Sequence, residues 1–154
     1  MDWRQIITAF STYGASNVSR KANPSSRFAA VILLLVLGSA ACGGDPLVSP
    51  RTAITALQKL LAKHGLQEQD IADFELNEAF AVIDVLFARS FPHSVDKYNV
   101  FGGALAYGHP YGASGGIITL HLLEALRQKG GRYGAASVAA AGGIGTALLL
   151  ERVE

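Results

Sequence analysis

Thiols are nearly absent from this chain, whose only cysteine is Cys42. A single thiol excludes an internal disulfide and any thiolate cluster around a metal. The histidines, His64, His93, His109 and His121, are scattered, and none stands at ligand spacing with a nearby carboxylate, so no metal site is expected. Charge is sparse too. Lys and Arg number 13 against 12 Asp and Glu, a formal net charge of +1, so no basic field points to nucleic acid. The apolar run from Phe28 to Leu37 is too short to cross a bilayer as a helix, and no membrane partner is expected. No internal repeat is present.

What remains suits one compact domain, since 50% of the 154 residues are hydrophobic, enough for a single core. Ser49 as cap, Pro50 in the first turn and Gly65 after the end bracket a helix whose Ile54, Leu57, Leu60 and Leu61 share one stripe. A second helix, from Ala79 to about Ser90, carries Phe80, Val82, Ile83, Val85, Leu86 and Phe87. A third, from about Ala113 to Gln128, carries Ile117, Ile118, Leu120, Leu122, Leu123 and Leu126. Both are apolar on most sides and should be buried on most sides. Short apolar strands are expected at Asp73 to Leu76, Tyr133 to Val138 and Thr146 to Leu150, which makes the chain α/β. His64 falls near a helix end and is expected to meet the helix dipole.

Three segments carry chemistry. Gly102 to Gly116 is a glycine-dense loop around His109 that runs into an apolar helix. Its glycines let the backbone approach a ligand, and Pro110 fixes the turn. A histidine held there can polarise a carbonyl or move a proton, although an incidental histidine at a helix start would look the same. Glu75 to Phe80 (Glu-Leu-Asn-Glu-Ala-Phe) ends a strand in polar residues, where α/β sheets form sites. On the plainer reading Asn77 caps the next helix and Glu78 favours its positive end. Ala139 to Gly145 is a turn of small residues that alone reads only as a hairpin.

In this order the three segments resemble the carboxyl-terminal half of the thiolase family. The matching pieces are Asn-Glu-Ala-Phe at 77 to 80, Gly-His-Pro at 108 to 110 and Gly-Gly-x-Gly at 142 to 145. The likeness continues upstream through Val36-Leu37-Gly38-Ser39-Ala40 and Asp45-Pro46. It implies a layered fold, here the carboxyl-terminal half with a mixed sheet flanked by helices. Residues 35–154 would form that domain and 1–34 a poorly matching remnant of the other half. In that remnant Ile6 to Phe10 could be a strand, and Ser16 to Arg27 reads as loop or disorder.

The family makes or breaks a carbon–carbon bond between acyl units carried on coenzyme A, with a nucleophilic cysteine, a second cysteine as acid/base and two oxyanion sites. The resemblance implies that His109 donates to a thioester oxygen and that Asn77 holds a water supplying the other donor. It also implies that His109 eases thiolate formation, that the Ala141 amide serves the second oxyanion site, and that Gly108, Gly142 and Gly143 approach the substrate. The coenzyme A thioester is substrate, and no further cofactor is implied. Where the family places its acid/base cysteine this chain has Ala139, which transfers no proton. The glycine expected at 141 is alanine, tolerable at negative φ. The nucleophile belongs to the amino-terminal half, which this sequence does not match. The chain alone is therefore expected to be incomplete or inactive, with acyl-CoA as ligand and either a second copy or a chain supplying the other half as partner.

Cys42 also admits another reading. Arg20, Lys21 and Arg27, then Phe28 to Leu37, then small residues before a cysteine resemble a bacterial lipoprotein signal, which would make this an exported protein anchored at Cys42. In the thiolase alignment the same stretch is two buried strands, Phe28 to Leu34 and Leu35 to Cys42, and the compartment expected is cytoplasmic. A catalytically silent module that binds thioesters or a protein is the third reading.

Overall fold

The computed structural model describes residues 33–153. The readings made on Ile6 to Phe10, on Ser16 to Arg27 and on the cationic start of the signal-like stretch lie outside them, as does the proposed amino-terminal remnant apart from its last two residues.

Four strands form one mixed sheet in the order β1-β4-β3-β2, where β1 is Leu33–Gly43, β2 Ile71–Leu76, β3 Tyr133–Ala140 and β4 Ile144–Val153. β1 and β3 flank β4 antiparallel, and β2 adds to β3 in parallel. β1 is continuous: Leu34 faces Arg152 and Leu35 faces Glu151 in the same ladder, with one irregularity at Leu37. The expected break between Leu34 and Leu35 is therefore corrected to one continuous strand there, while 28–32 of the first expected strand lie outside the described residues. Cys42 lies inside that ladder opposite Gly145, buried, with its thiol donating to the Thr52 carbonyl at 3.4 Å. Cleavage before Cys42 would strip most of β1 from β4. The anchor reading gives way to that of a buried strand cysteine.

Period-two alternation gives the sheet two apolar faces. Ala135, Ala147 and Leu149 face helix α1 (Arg51–His64), while Ala136, Leu148 and Leu150 face helix α4 (Tyr111–Lys129). On the α1 side Leu57, Leu60, Phe74, Leu76, Phe87 and Leu149 are fully buried, each worth about 1.5–3 kcal/mol over exposure. Helix α2 (Val82–Ser90) joins this core through Ile83 and Phe87, the latter meeting Phe74 edge-on at 5.3 Å.

Gly65 ends α1 in the left-handed conformation as expected, but Ser49 does not cap it. Its hydroxyl donates to the Pro46 carbonyl at 2.7 Å and accepts from the Gly143 amide at 3.0 Å, so it joins the β1–α1 connection to the β3–β4 hairpin. His64 is the last residue of α1, with its Nε2 packed beneath Gly38. The two apolar helices are only partly covered. Phe80, Val82 and Val85 around α2 and Leu120 on α4 are exposed, and Phe80 keeps 63% of its surface. Their periodicity reports a need for cover that the described residues do not supply. Among these residues no helix is long and apolar enough to cross a membrane.

Candidate active site

β2 and β3 run parallel, so their carboxyl ends reach the same edge of the sheet, where the amino end of α4 also arrives. Asn77 extends the β2 ladder by donating its amide to the Ser137 carbonyl at 3.0 Å. The chain then turns at once, with the Ala79 amide donating to the Asn77 carbonyl at 2.9 Å, and α2 starts only at Val82. Asn77 is therefore no helix cap, because the turn separates it from the helix. Its side chain, 2% exposed, instead places Nδ2 3.4 Å from His109 Nε2.

Glu78 is no dipole partner of α2 either. Its Oε1 accepts from Asn99 Nδ2 at 2.8 Å and its Oε2 from the Leu105 amide at 3.1 Å. Asn99 in turn brackets Leu76, accepting from its amide at 2.9 Å and donating to its carbonyl at 3.1 Å, which caps the free edge of β2. It does so at φ 44, a conformation Asn tolerates better than most residues. Glu78 thus clamps the short helix α3 (Ala104–Tyr107), whose end delivers His109.

Between α3 and α4 the chain passes through Gly108 at φ 95, accessible only to glycine without strain, and then turns at Pro110. His109 Nδ1 lies 2.6 Å from the hydroxyl of Ser114, a buried residue in the first turn of α4. In the tautomer in which Ser114 donates to Nδ1, Nε2 carries the ring proton and meets Asn77 Nδ2 donor to donor; in the other, Nε2 accepts from Asn77. At 3.4 Å that contact is long for a hydrogen bond, yet it suits two N–H groups converging on one oxygen placed between them.

The neighbouring strand end is bare of polar side chains. Ala139 pairs with Gly145 near the end of β3, two residues past the Ser137 that holds Asn77, and is half-buried. Ala141 is exposed at the hairpin tip and absent from the positive-φ residues, so its methyl group is tolerated there. Gly142 and Gly143 take φ 82 and 75. The Gly143 amide donates to the Ser49 hydroxyl at 3.0 Å. A groove of about 250 Å³ opens nearby between Gly115, Ile118 and Thr119 of α4 and Ser39, Val138 and Leu148 of the sheet, lined by neither His109 nor Asn77.

Behind Asn77 on β2 sits Glu75, fully buried, with its Oε2 3.8 Å from His121 Nδ1. Burial, helped by the charges of Asp73 and Glu78, pushes its carboxyl up to about 8. Asp73 is raised by burial too, against its ion pair with Lys129 at 2.8 Å. Ser114, Asn99 and Glu75 were not visible as site residues in the sequence. Ser114 lies five positions beyond His109, a spacing that joins them only because Pro110 turns the chain, and Asn99 sits in a stretch with no motif.

The family described as the thiolase C-terminal domain matches residues 31–152. An acetyl-CoA acetyltransferase of Synechocystis sp. is 47% identical over 121 residues, covering 79% of this chain and 31% of that protein. The mitochondrial 3-ketoacyl-CoA thiolase of Homo sapiens is 39% identical over 119 residues, covering 77% and 30%. The solved acetyl-CoA acetyltransferase of Bacillus anthracis superposes with a TM-score of 0.75 at 33% identity, over 79% of this chain and 31% of that one. Human mitochondrial 3-ketoacyl-CoA thiolase in complex with CoA does so with a TM-score of 0.74 at 38% identity, over 77% and 30%. The chain thus spans just under a third of the length of these relatives. With the sheet order, the histidine loop and the asparagine turn in place, the chain belongs to the thiolase family and matches its carboxyl-terminal domain.

Proposed function

We propose that this chain is the carboxyl-terminal component of a thiolase-type acyltransferase acting on acyl-CoA thioesters, and that it supplies the site for the oxygen that gains charge. When the carbon–carbon bond of a β-ketoacyl thioester breaks, its electron pair passes to the α-carbon and spreads onto the thioester oxygen as an enolate. In condensation the same enolate forms first and its pair makes the bond. His109 Nε2–H donates to that oxygen, and Asn77 Nδ2, directly or through a water it holds, completes the pair of donors. Ser114 fixes the ring orientation and its tautomer. The observation that carries this reading is the 3.4 Å approach of two buried-edge donors, backed at the far ring nitrogen by Ser114 at 2.6 Å. Preorganised donors of this kind are usually the largest single catalytic contribution.

No covalent step is assigned to these residues alone. Ala139 has no proton to give, and the Cys42 thiol is buried against Thr52. The nucleophile comes from an amino-terminal half, to which the exposed Phe80, Val82, Val85 and Leu120 offer a surface. The names of the relatives and the CoA held by one of them support an acyl-CoA substrate. Ala139 also favours a silent thioester-binding module, which shares all of this geometry.

Acetoacetyl-CoA and CoA added to the purified chain test the proposal. The expected result is no thiolysis above background, with the His109 ring and the Asn77 amide displaced in the NMR spectrum. Thiolysis by the chain alone would contradict it, and so would an unmoved His109. Ala139→Cys should leave turnover absent until a nucleophile-bearing half is added. Turnover that never appears in that mixture favours the silent module.

A further inference from the structure

Asp73, Glu75 and Asn77 follow one another at period two and so share a face of β2. Helix α4 and the loop before it answer each in turn: Lys129 donates to Asp73 at 2.8 Å, His121 Nδ1 stands 3.8 Å from Glu75, and His109 Nε2 lies 3.4 Å from Asn77 Nδ2. The middle member is the unusual one. Glu75 is fully buried, and among the described residues neither of its carboxyl oxygens nor His121 Nδ1 has a hydrogen-bond partner. An unpartnered buried carboxyl favours keeping its proton, and an imidazole at ion-pair range is the natural second holder of it. The His121 ring meets Phe101 and Tyr107 edge-on, at 5.8 and 5.4 Å between centroids, and Tyr107 leads directly into Gly108 and His109.

We propose that Glu75 and His121 hold one proton between them and act as a positioning pair for the Asn77–His109 site, so that loss of that proton sets a buried negative charge behind the two donors and weakens their hold on an oxygen gaining charge. This rests on the oxyanion reading of Asn77 and His109 given above. Glu75 lies two residues, about 7 Å of strand, from Asn77, and both are buried, so a charge there is screened less than at the surface. The other charged groups that act on Glu75 are Asp73 and Glu78, which oppose its ionisation, and Lys129, which favours it, while Tyr98 and Tyr107 feel its charge in turn. Burial outweighs Lys129, and the carboxyl titrates at about 8. Through His121, whose side chain is 27% exposed, the pair can exchange its proton with water.

NMR of the isotopically labelled chain, followed from about pH 5 to about pH 10, tests this without substrate. The expected result is a Glu75 carboxyl step at about 8, with the His121 ring, the His109 ring and the Gly108 amide all responding in that step. Glu75→Gln should remove the step from His109 and Gly108, and His121→Gln, altered on a partly open helix face, should shift or abolish it should the first variant fail to fold. A Glu75 midpoint near the ordinary 4.5 in the unaltered chain would overturn the proposal, as would His109 and Gly108 signals that stay flat through Glu75's own step. Acetoacetyl-CoA then separates the two ideas. Thioester binding that ignores the Glu75 step sinks the pair and leaves the oxyanion reading standing. An intact step with no thioester effect on His109 sinks the oxyanion reading and leaves the pair.

Discussion

The carboxyl ends of β2 and β3 lie side by side on one sheet edge and differ in almost every chemical respect. The β2 end presents Asn77, aimed at His109 and backed by Ser114, Glu78 and Asn99. The β3 end presents Ala139, Ala140 and Ala141, whose side chains neither donate nor accept, and its turn is tied down by backbone fit to the β1–α1 connection. The first end can stabilise charge and cannot break a covalent bond. The second preserves a shape without the proton-transferring side chain that the family keeps there. The proposed oxyanion role needs few residues held rigidly, and Asn77, His109 and Ser114 lie in contact with one another.

Removing the donor of the β2 end should have the largest effect. In an Ala139→Cys chain assembled with a nucleophile-bearing half, His109→Ala is expected to lower turnover by about 10²- to 10³-fold, read as kcat with little change in KM. A β3-end change should act on stability instead. At Gly143 an added Cβ would lie 2.2 Å from the Gly44 carbonyl oxygen, at φ 75, so Gly143→Ala should destabilise by about 3 kcal/mol in urea unfolding. Equal loss of stability in both variants would erase the contrast between the two ends.

Much of this was legible before the structure, and the failures share a cause. The hairpin, the long α4 and the Gly65 stop follow from local pattern, because period and turn chemistry are local properties. The three motif segments also gathered at one edge. Ser49 was misread as a cap, and capping stood as the plainer alternative for Asn77, since a side chain that can cap a helix can equally reach a distant partner, and sequence spacing does not choose between them. Glu78 depends on Asn99, 21 positions away, and on a positive φ that no neighbouring residue signals. The apolar pattern of α2 led to an expectation of burial on most sides, yet Val82 and Val85 are exposed, because a pattern states what must be covered and not what covers it.

A smaller and opposite effect is expected at Glu75. Its carboxyl is raised from 4.5 to about 8, so between those values the native chain binds more protons than the unfolded one, and stability falls as pH rises through that window. Glu75→Gln should therefore raise stability near pH 7 by at most about 3 kcal/mol, a gain that closes below about pH 4.5, as thermal unfolding across pH would reveal. Smallest of all, Ser114→Ala removes the hydroxyl 2.6 Å from His109 Nδ1. It should reduce assembled turnover by about 5- to 10-fold, roughly 1 kcal/mol, with the ring tautomer signal in nitrogen NMR changing alongside.

The most direct measurement is the carbonyl stretch of acetyl-CoA labelled at the thioester carbon, recorded by isotope-edited infrared difference with the chain present. If His109 and Asn77 hold that oxygen, the stretch falls below that of free acetyl-CoA and returns to the free value in both His109→Ala and Asn77→Ala. A lowered stretch that survives both substitutions, or a bound thioester whose stretch never moves, would contradict the account.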